Sequence, residues 1–297
     1  MRARLSSLES VPLPDGRMLF VRRRRSSEDR PIVLLHGLLD SSEGWLELCR
    51  QLDCSYVAVD LPGFGHSDGP SPNSISGYAA DVAAMLDTLR LDQVTLVGHS
   101  LGGGIATAVA ELMPSIVHSL VLLAPVGFGR IHLAEAAVLP GLRTALRATL
   151  PHALSNRALV TAAYVAMVTD GRTPPSELVD RVTGHGSQLA RSAEAAIKAI
   201  ASAGRSSQAF HRRRVGYDGP VFAVWGDRDR LVPPCHRHGV VSSLPQARIE
   251  IWRGMGHHPM RERLGDLLAL ISDARGRPAS RLGQIRPGAG TGARRAA

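Results

Sequence analysis

Three cysteines in 297 residues, Cys49, Cys54 and Cys235, are too few and too irregularly spaced for a disulfide framework or a zinc site. They read as reduced, buried thiols of an intracellular, cytoplasmic protein. No apolar run approaches the ~18 residues that a membrane helix needs. Met1 to Leu19 holds charges and prolines but no apolar stretch of a secretory signal. Aromatic residues make up only 4% of the chain, and none interleave with the basic clusters Arg22 to Arg25 and His211 to Arg214. That argues against nucleic acid as a partner. The formal charge of +9 is also localised: the six arginines from Arg275 to Arg295 meet no acid after Asp273, and without them the body carries +3.

What is present is enough apolar residue, 44%, for a large core. Val11 to Val21 reads as two strands around the turn Leu13-Pro14-Asp15-Gly16. Arg22 to Arg25 reads as a solvated edge that ends the second. Continuous apolar strands follow at Ile32–Leu35, Ser55–Asp60, Gln93–Gly98 and Ser119–Pro125, separated by helical patterns. The clearest helix buries Ile75, Tyr78, Val82, Met85, Leu86 and Leu89, with Ser74 or Ser76 as cap. This alternation predicts an α/β fold with a mostly parallel central sheet covered by helices on both faces.

The rhythm breaks from Gly127 to Val215, where Ala, Leu and Arg dominate and no strand candidate appears. Pro140, Pro151, Gly171 to Pro175, Gly184 to Gly186 and Gly204 are expected to interrupt its helices. Strands resume at Pro220–Trp225 and Ala247–Trp252, and a last helix begins near Pro259. The expected organisation is a core formed by residues 1–127 and 216–273, an all-helical insertion at 128–215, and a disordered Arg-rich tail at 274–297.

The chain is organised around Gly98-His99-Ser100-Leu101-Gly102, which lies between a buried strand and an Ala-rich helix. A strand passing directly into a helix holds its central serine in a strained geometry and lifts the hydroxyl above the sheet. Glycines flank it because strand and helix backbones crowd there. A serine hydroxyl becomes a nucleophile only when a base removes its proton, and the base needs an anion to fix its tautomer. Two late strand ends supply candidates: Gly226-Asp227-Arg228-Asp229 and Gly256-His257-His258-Pro259. Strand ends of a parallel sheet converge on one edge. Ser100 is therefore the candidate nucleophile, His257 the base and Asp229 the acid. Asp227 is the alternative acid and otherwise a turn-capping carboxylate. His258 is expected at the helix entrance, His99 packed or hydrogen-bonded inside the elbow, and His236 and His238 on the surface. The candidate oxyanion donors are the backbone N–H groups of Leu101 and Leu38. No metal or cofactor is expected.

His36-Gly37-Leu38, Asp60-Leu61-Pro62-Gly63-Phe64-Gly65-His66-Ser67, Gly98-His99-Ser100-Leu101-Gly102-Gly103, Gly226-Asp227-Arg228-Asp229 and Gly256-His257 together resemble the α/β-hydrolase superfamily. The resemblance spans Val11 to Ile271. It implies that the helical insertion is that family's cap and that the chain is a serine hydrolase of the carboxylesterase or lipase type, acting on an apolar ester. A C–C bond hydrolase, an acyltransferase and a non-catalytic ligand-binding member are alternatives on the same scaffold. Dehalogenase and epoxide hydrolase members use an aspartate at the elbow, where this chain has Ser100. C–C bond hydrolases of this layout usually carry a tryptophan after the histidine, where this chain has His258.

Overall fold

The computed structural model describes residues 6–26, 30–72, 74–168, 174, 176–183 and 187–276. Eight strands form one sheet: β1 (Ser7–Pro12), β2 (Met18–Arg24), β3 (Ile32–Leu35), β4 (Tyr56–Val59), β5 (Val94–His99), β6 (Val117–Leu123), β7 (Val221–Gly226) and β8 (Arg248–Trp252). Their spatial order is β1-β2-β4-β3-β5-β6-β7-β8. Only the β1–β2 and β2–β4 pairs are antiparallel. The other five are parallel.

The helices are α1 (Leu46–Gln51), α2 (Ile75–Thr88), α3 (Leu101–Leu112), α4 (His132–Ala136), α5 (Pro140–Ser155), α6 (Arg157–Met167), α7 (Ser176–Thr183), α8 (Ser187–Arg205), α9 (Arg237–Ser243), α10 (Pro259–Glu262) and α11 (Leu264–Ala274). None of the described helices is long and apolar enough to cross a membrane.

Alternation of side chains along the strands splits the core into two layers. Val33, Leu35, Val57 and Val59 face the layer containing Tyr78, Val82 and Leu86 of α2 and Ile105 and Val109 of α3. Ile32, Leu34, Tyr56 and Ala58 face Trp45, Leu48 and Cys49, together with Leu267 and Ile271 of α11. Strands buried on both sides read as continuous apolar runs for this reason. Ser74 caps α2 by accepting a hydrogen bond from the Gly77 N–H at 3.1 Å.

Several expectations need correction. Arg22 to Arg25 do not end an edge strand, because β1 starts at Ser7 and covers that side of β2. Arg23 is consequently buried, and the Arg24 guanidinium donates to the Cys54 carbonyl at 2.8 Å. Cys49 and Cys54 are buried, but Cys235 is exposed on the turn before α9. His236 is buried, its ring against Gly129 and its Nε2 3.2 Å from the Arg130 carbonyl. His238 is exposed.

Between β6 and β7 the described elements are all helical, α4 to α8. Pro140 opens α5, but Pro151 lies inside it and Gly204 inside α8. Gly204 is there for contact: a Cβ would sit 2.1 Å from the Ala134 carbonyl oxygen of α4. The breaks expected at Gly171 to Pro175 and Gly184 to Gly186 lie, apart from Pro174, outside the described residues. At the C-terminus α11 runs through Ala274, and buried Arg275 donates to the Arg30 carbonyl at 2.9 Å. The packed region thus extends past the expected boundary at 274, and residues 277–297 lie outside the described residues.

Candidate active site

The C-terminal ends of β3, β4, β5, β7 and β8 open onto one edge of the sheet, and each delivers one part of the site. β5 passes into α3 at Ser100, whose backbone is held at φ 54° and ψ −114°. Such a conformation costs a non-glycine residue roughly 1–3 kcal/mol and persists only when its surroundings over-determine it. Here the Ser100 N–H donates to the Leu123 carbonyl at 2.8 Å, and the Ser100 carbonyl accepts from Val126 and Gly103, each at 3.0 Å. The flanking glycines are required sterically. A Cβ on Gly98 would lie 2.3 Å from the Gly102 carbonyl oxygen, and one on Gly102 would lie 2.2 Å from that of Leu35.

From β8 comes His257 and from β7 comes Asp229, both buried. His257 Nδ1 and Asp229 Oδ2 are 2.6 Å apart. The other carboxylate oxygen, Oδ1, accepts the N–H groups of Leu231 and Val232, each at 2.9 Å. Three bonds therefore fix the carboxylate as an acceptor, so Nδ1 carries the proton and Nε2 presents a lone pair. Asp227 does not reach the histidine. Its exposed carboxylate accepts from the Gly254 N–H at 2.7 Å and closes the turn after β8.

Ser100 and His257 line one cavity of about 420 Å³, together with Leu38 and Leu101. Leu101 is the first residue of α3, where N–H groups have no partner within the helix. The strand exit that carries Leu38 passes tightly over the elbow: a Cβ on Gly37 would fall 3.2 Å from Ser100 Cβ and 2.9 Å from His99 Nδ1. His36 braces this exit. Its Nε2 accepts the Leu61 N–H at 2.9 Å, so its Nδ1–H donates to the Gly37 carbonyl at 2.7 Å. Asp60, at the end of β4, is a structural tie as well, accepting from Ser42 N–H at 2.6 Å and His66 N–H at 2.8 Å.

Sequence reasoning did not find the groups that hold the His257 backbone. His99 Nε2 donates to the His257 carbonyl at 2.7 Å. Burial, and next the neighbouring His257 ring, push the His99 pKa well below its ordinary value, so it is neutral. Glu262 accepts the N–H groups on either side of His257, Gly256 at 2.9 Å and His258 at 3.1 Å. A glutamate within the first turn after a helix entrance is a capping signal that could have revealed it. The His257 N–H itself donates to the Val168 carbonyl, at the end of α6, at 3.1 Å. Arg261 pairs with Asp40 at 3.3 Å, tying the histidine loop to the loop after β3. His258 occupies the entrance of α10, as expected. Among the described residues no three His, Cys, Asp or Glu side chains converge as a metal site.

Comparison with known proteins agrees with this architecture. A family model described as alpha/beta hydrolase fold matches residues 30–263. An uncharacterized protein of Mycobacterium tuberculosis is 30% identical over 251 residues, which is 78% of this chain and 71% of that one. A 2-hydroxy-6-oxononadienedioate/2-hydroxy-6-oxononatrienedioate hydrolase of Burkholderia vietnamiensis is 28% identical over 240 residues, 76% of this chain and 80% of that one. Among solved structures, a hydrolase from Pseudomonas aeruginosa superposes with a TM-score of 0.75 at 18% identity, over 91% of this chain and 98% of that one.

Proposed function

The chain belongs to the α/β hydrolase fold family, and from that premise we propose that it is a serine hydrolase of the carboxylesterase or lipase type, cleaving an apolar carboxylic ester. The observation that carries this reading is the buried His257–Asp229 contact of 2.6 Å, beside a cavity that Ser100 also lines.

In the proposed mechanism His257 Nε2 takes the Ser100 hydroxyl proton as Oγ attacks the ester carbonyl. The N–H groups of Leu38 and Leu101 receive the developing oxyanion. Collapse breaks the bond to the alcohol oxygen, which leaves with the proton from His257, and an acyl group remains on Ser100. Water, deprotonated by His257, then releases the acid and restores the serine. Asp229 holds the imidazole in the Nδ1–H tautomer and stabilises its charged form. This chemistry uses no metal or cofactor.

Residues 128–215 would act as a cap over the core formed by 1–127 and 216–273, since α5, α6 and α8 supply cavity-lining side chains. Buried thiols at Cys49 and Cys54, and an exposed one at Cys235, suit a reducing cytoplasmic setting.

A second reading, C–C bond hydrolysis on the same residues, draws support from the Burkholderia relative. An alkyl fluorophosphonate is expected to label the native protein and not Ser100→Ala. Absence of labelling on folded protein contradicts both readings. Turnover of vinylogous diketones in preference to nitrophenyl esters would select the second.

A further inference from the structure

The cavity is uneven in polarity, and the unevenness has a direction. Among its described lining residues the polar side chains are those of Ser100, His99, His257, His258 and Tyr164. They cluster. The rings of His99, His257 and His258 have centroids 4.7 to 5.5 Å apart, and the Tyr164 ring lies 6.0 Å from that of His258. Everything else that lines the cavity among the described residues is aliphatic, with no lysine, arginine, aspartate or glutamate.

One wall is regular. Leu142, Leu146, Leu150 and Leu154 of α5 all line the cavity and recur every fourth residue, so they stack along one face of the helix. Twelve residues of helix extend ~18 Å. An extended carbon chain advances about 1.2 Å per bond, from ~3.6 Å per three-bond residue. The track is thus long enough for a fatty chain and featureless enough to give a branch or polar group no partner. Leu142 and Leu159 line the cavity and are also exposed, at 39% and 55%, so the track reaches solvent beside them.

We propose that the α5 leucine track binds the acyl chain of the substrate: a neutral, unbranched aliphatic acyl group of about eight to twelve carbons. A carboxylate that ends within the track, short of its solvent end, is excluded. This rests on Ser100 being the nucleophile and adds the identity of the group it receives. The volume is in proportion, since 420 Å³ falls within the ~300–1,000 Å³ of pockets that hold small ligands. A buried carboxylate would have no cation among the described lining residues, and a charge taken from water without a partner is strongly disfavoured.

The test uses 4-nitrophenyl esters from acetate to dodecanoate, and the half-ester of octanedioic acid against the octanoate. kcat/KM is expected to rise about threefold to fourfold per methylene up to octanoate or decanoate. The half-ester is expected to be slower than the octanoate by about 100-fold. Leu146→Trp, which fills the track, should remove the preference for long chains, lowering decanoate turnover relative to acetate. Leu142→Arg, at a partly exposed position, should narrow the gap between half-ester and octanoate about tenfold. Fluorophosphonate labelling of Ser100 combined with a flat or falling chain-length profile, or with equal turnover of the half-ester, overturns the acyl-track assignment alone. Failure to label Ser100 overturns that assignment together with the serine hydrolase reading.

Discussion

Every residue of β3, β4 and β5 is buried, whereas in the helical segment between β6 and β7 Leu139, Leu142 and Leu159 stand 39% to 61% exposed. The two regions also differ in how they are held. The sheet sits between two large apolar layers, whereas the local cluster in the helical segment comprises Leu154, Val160, Val179, Val182 and Ala193. The more buried region carries Ser100, Asp229 and His257, and the more exposed one supplies most of the aliphatic lining of the cavity. On the proposed reading, the reacting groups are mounted in the closely packed region, and selectivity for an aliphatic chain falls to the more exposed wall.

Substitutions can break or sharpen this contrast. Removing the proposed nucleophile with Ser100→Ala should lower kcat by about 10⁵–10⁶, measured on folded protein. Asp229→Asn, which turns an obligate acceptor into a possible donor, should cost about 10⁴ in kcat. Asp227→Asn should stay within about tenfold, because its carboxylate only closes a turn. Similar losses at the two positions would undo the assignment of the acid.

Glu262→Ala should reduce kcat by about 10² with little change in KM, since it loosens the His257 backbone without touching substrate. Glu262→Gln, which keeps an acceptor oxygen, should recover part of that loss. A rise in KM alone would mean that Glu262 does not act through the histidine.

In stability the contrast should appear directly. Leu122→Ala, fully buried near the C-terminal end of β6, should cost about 2–5 kcal/mol in chemical denaturation. Leu142→Ala, half in solvent, should stay within about 1 kcal/mol. Equal costs would mean that the helical segment is as tightly packed as the sheet.

The smallest expected effect concerns pH. The His99 pKa is lowered by burial, so the unfolded chain binds a proton near pH 6.5 that the folded chain refuses. Stability is full above that pH and is lost as pH falls below it. Buried His236, also lowered by burial, adds to the same loss. His99→Gln should lower Tm at pH 7.5 yet show a smaller further drop at pH 5.5 than the native chain.

Much of the sheet was legible in the sequence because burial on both faces writes itself as unbroken apolar runs, such as Ile32–Leu35 and Tyr56–Val59. The strand-end loops bearing Ser100 and Asp229 were legible because each is a short polar interruption directly after such a run, whereas the loop bearing His257 follows β8, an alternating Arg-Ile-Glu-Ile-Trp strand that is only partly buried. Lateral neighbours were not. Whether Arg22 to Arg25 lie at an edge depends on where β1 folds back, and no local signal states that. His236 looked like a surface group amid charged residues, but the approach of Gly129 encloses it. Within the helices, Pro151 and Gly204 resemble breaks, yet proline is absorbed into α5 and glycine lets α8 touch α4. Glu262 and Val168 act on His257 through backbone groups, which leave no imprint on residue type beyond a capping pattern.

The most direct measurement is mass spectrometry of protein quenched during turnover of 4-nitrophenyl decanoate. A decanoyl adduct on the peptide containing Ser100, absent from Ser100→Ala and enriched in Asp229→Asn if deacylation becomes limiting, is the expected result. Steady hydrolysis with an adduct on any other residue, exposed Cys235 included, or with the Ser100→Ala rate unchanged, would contradict it.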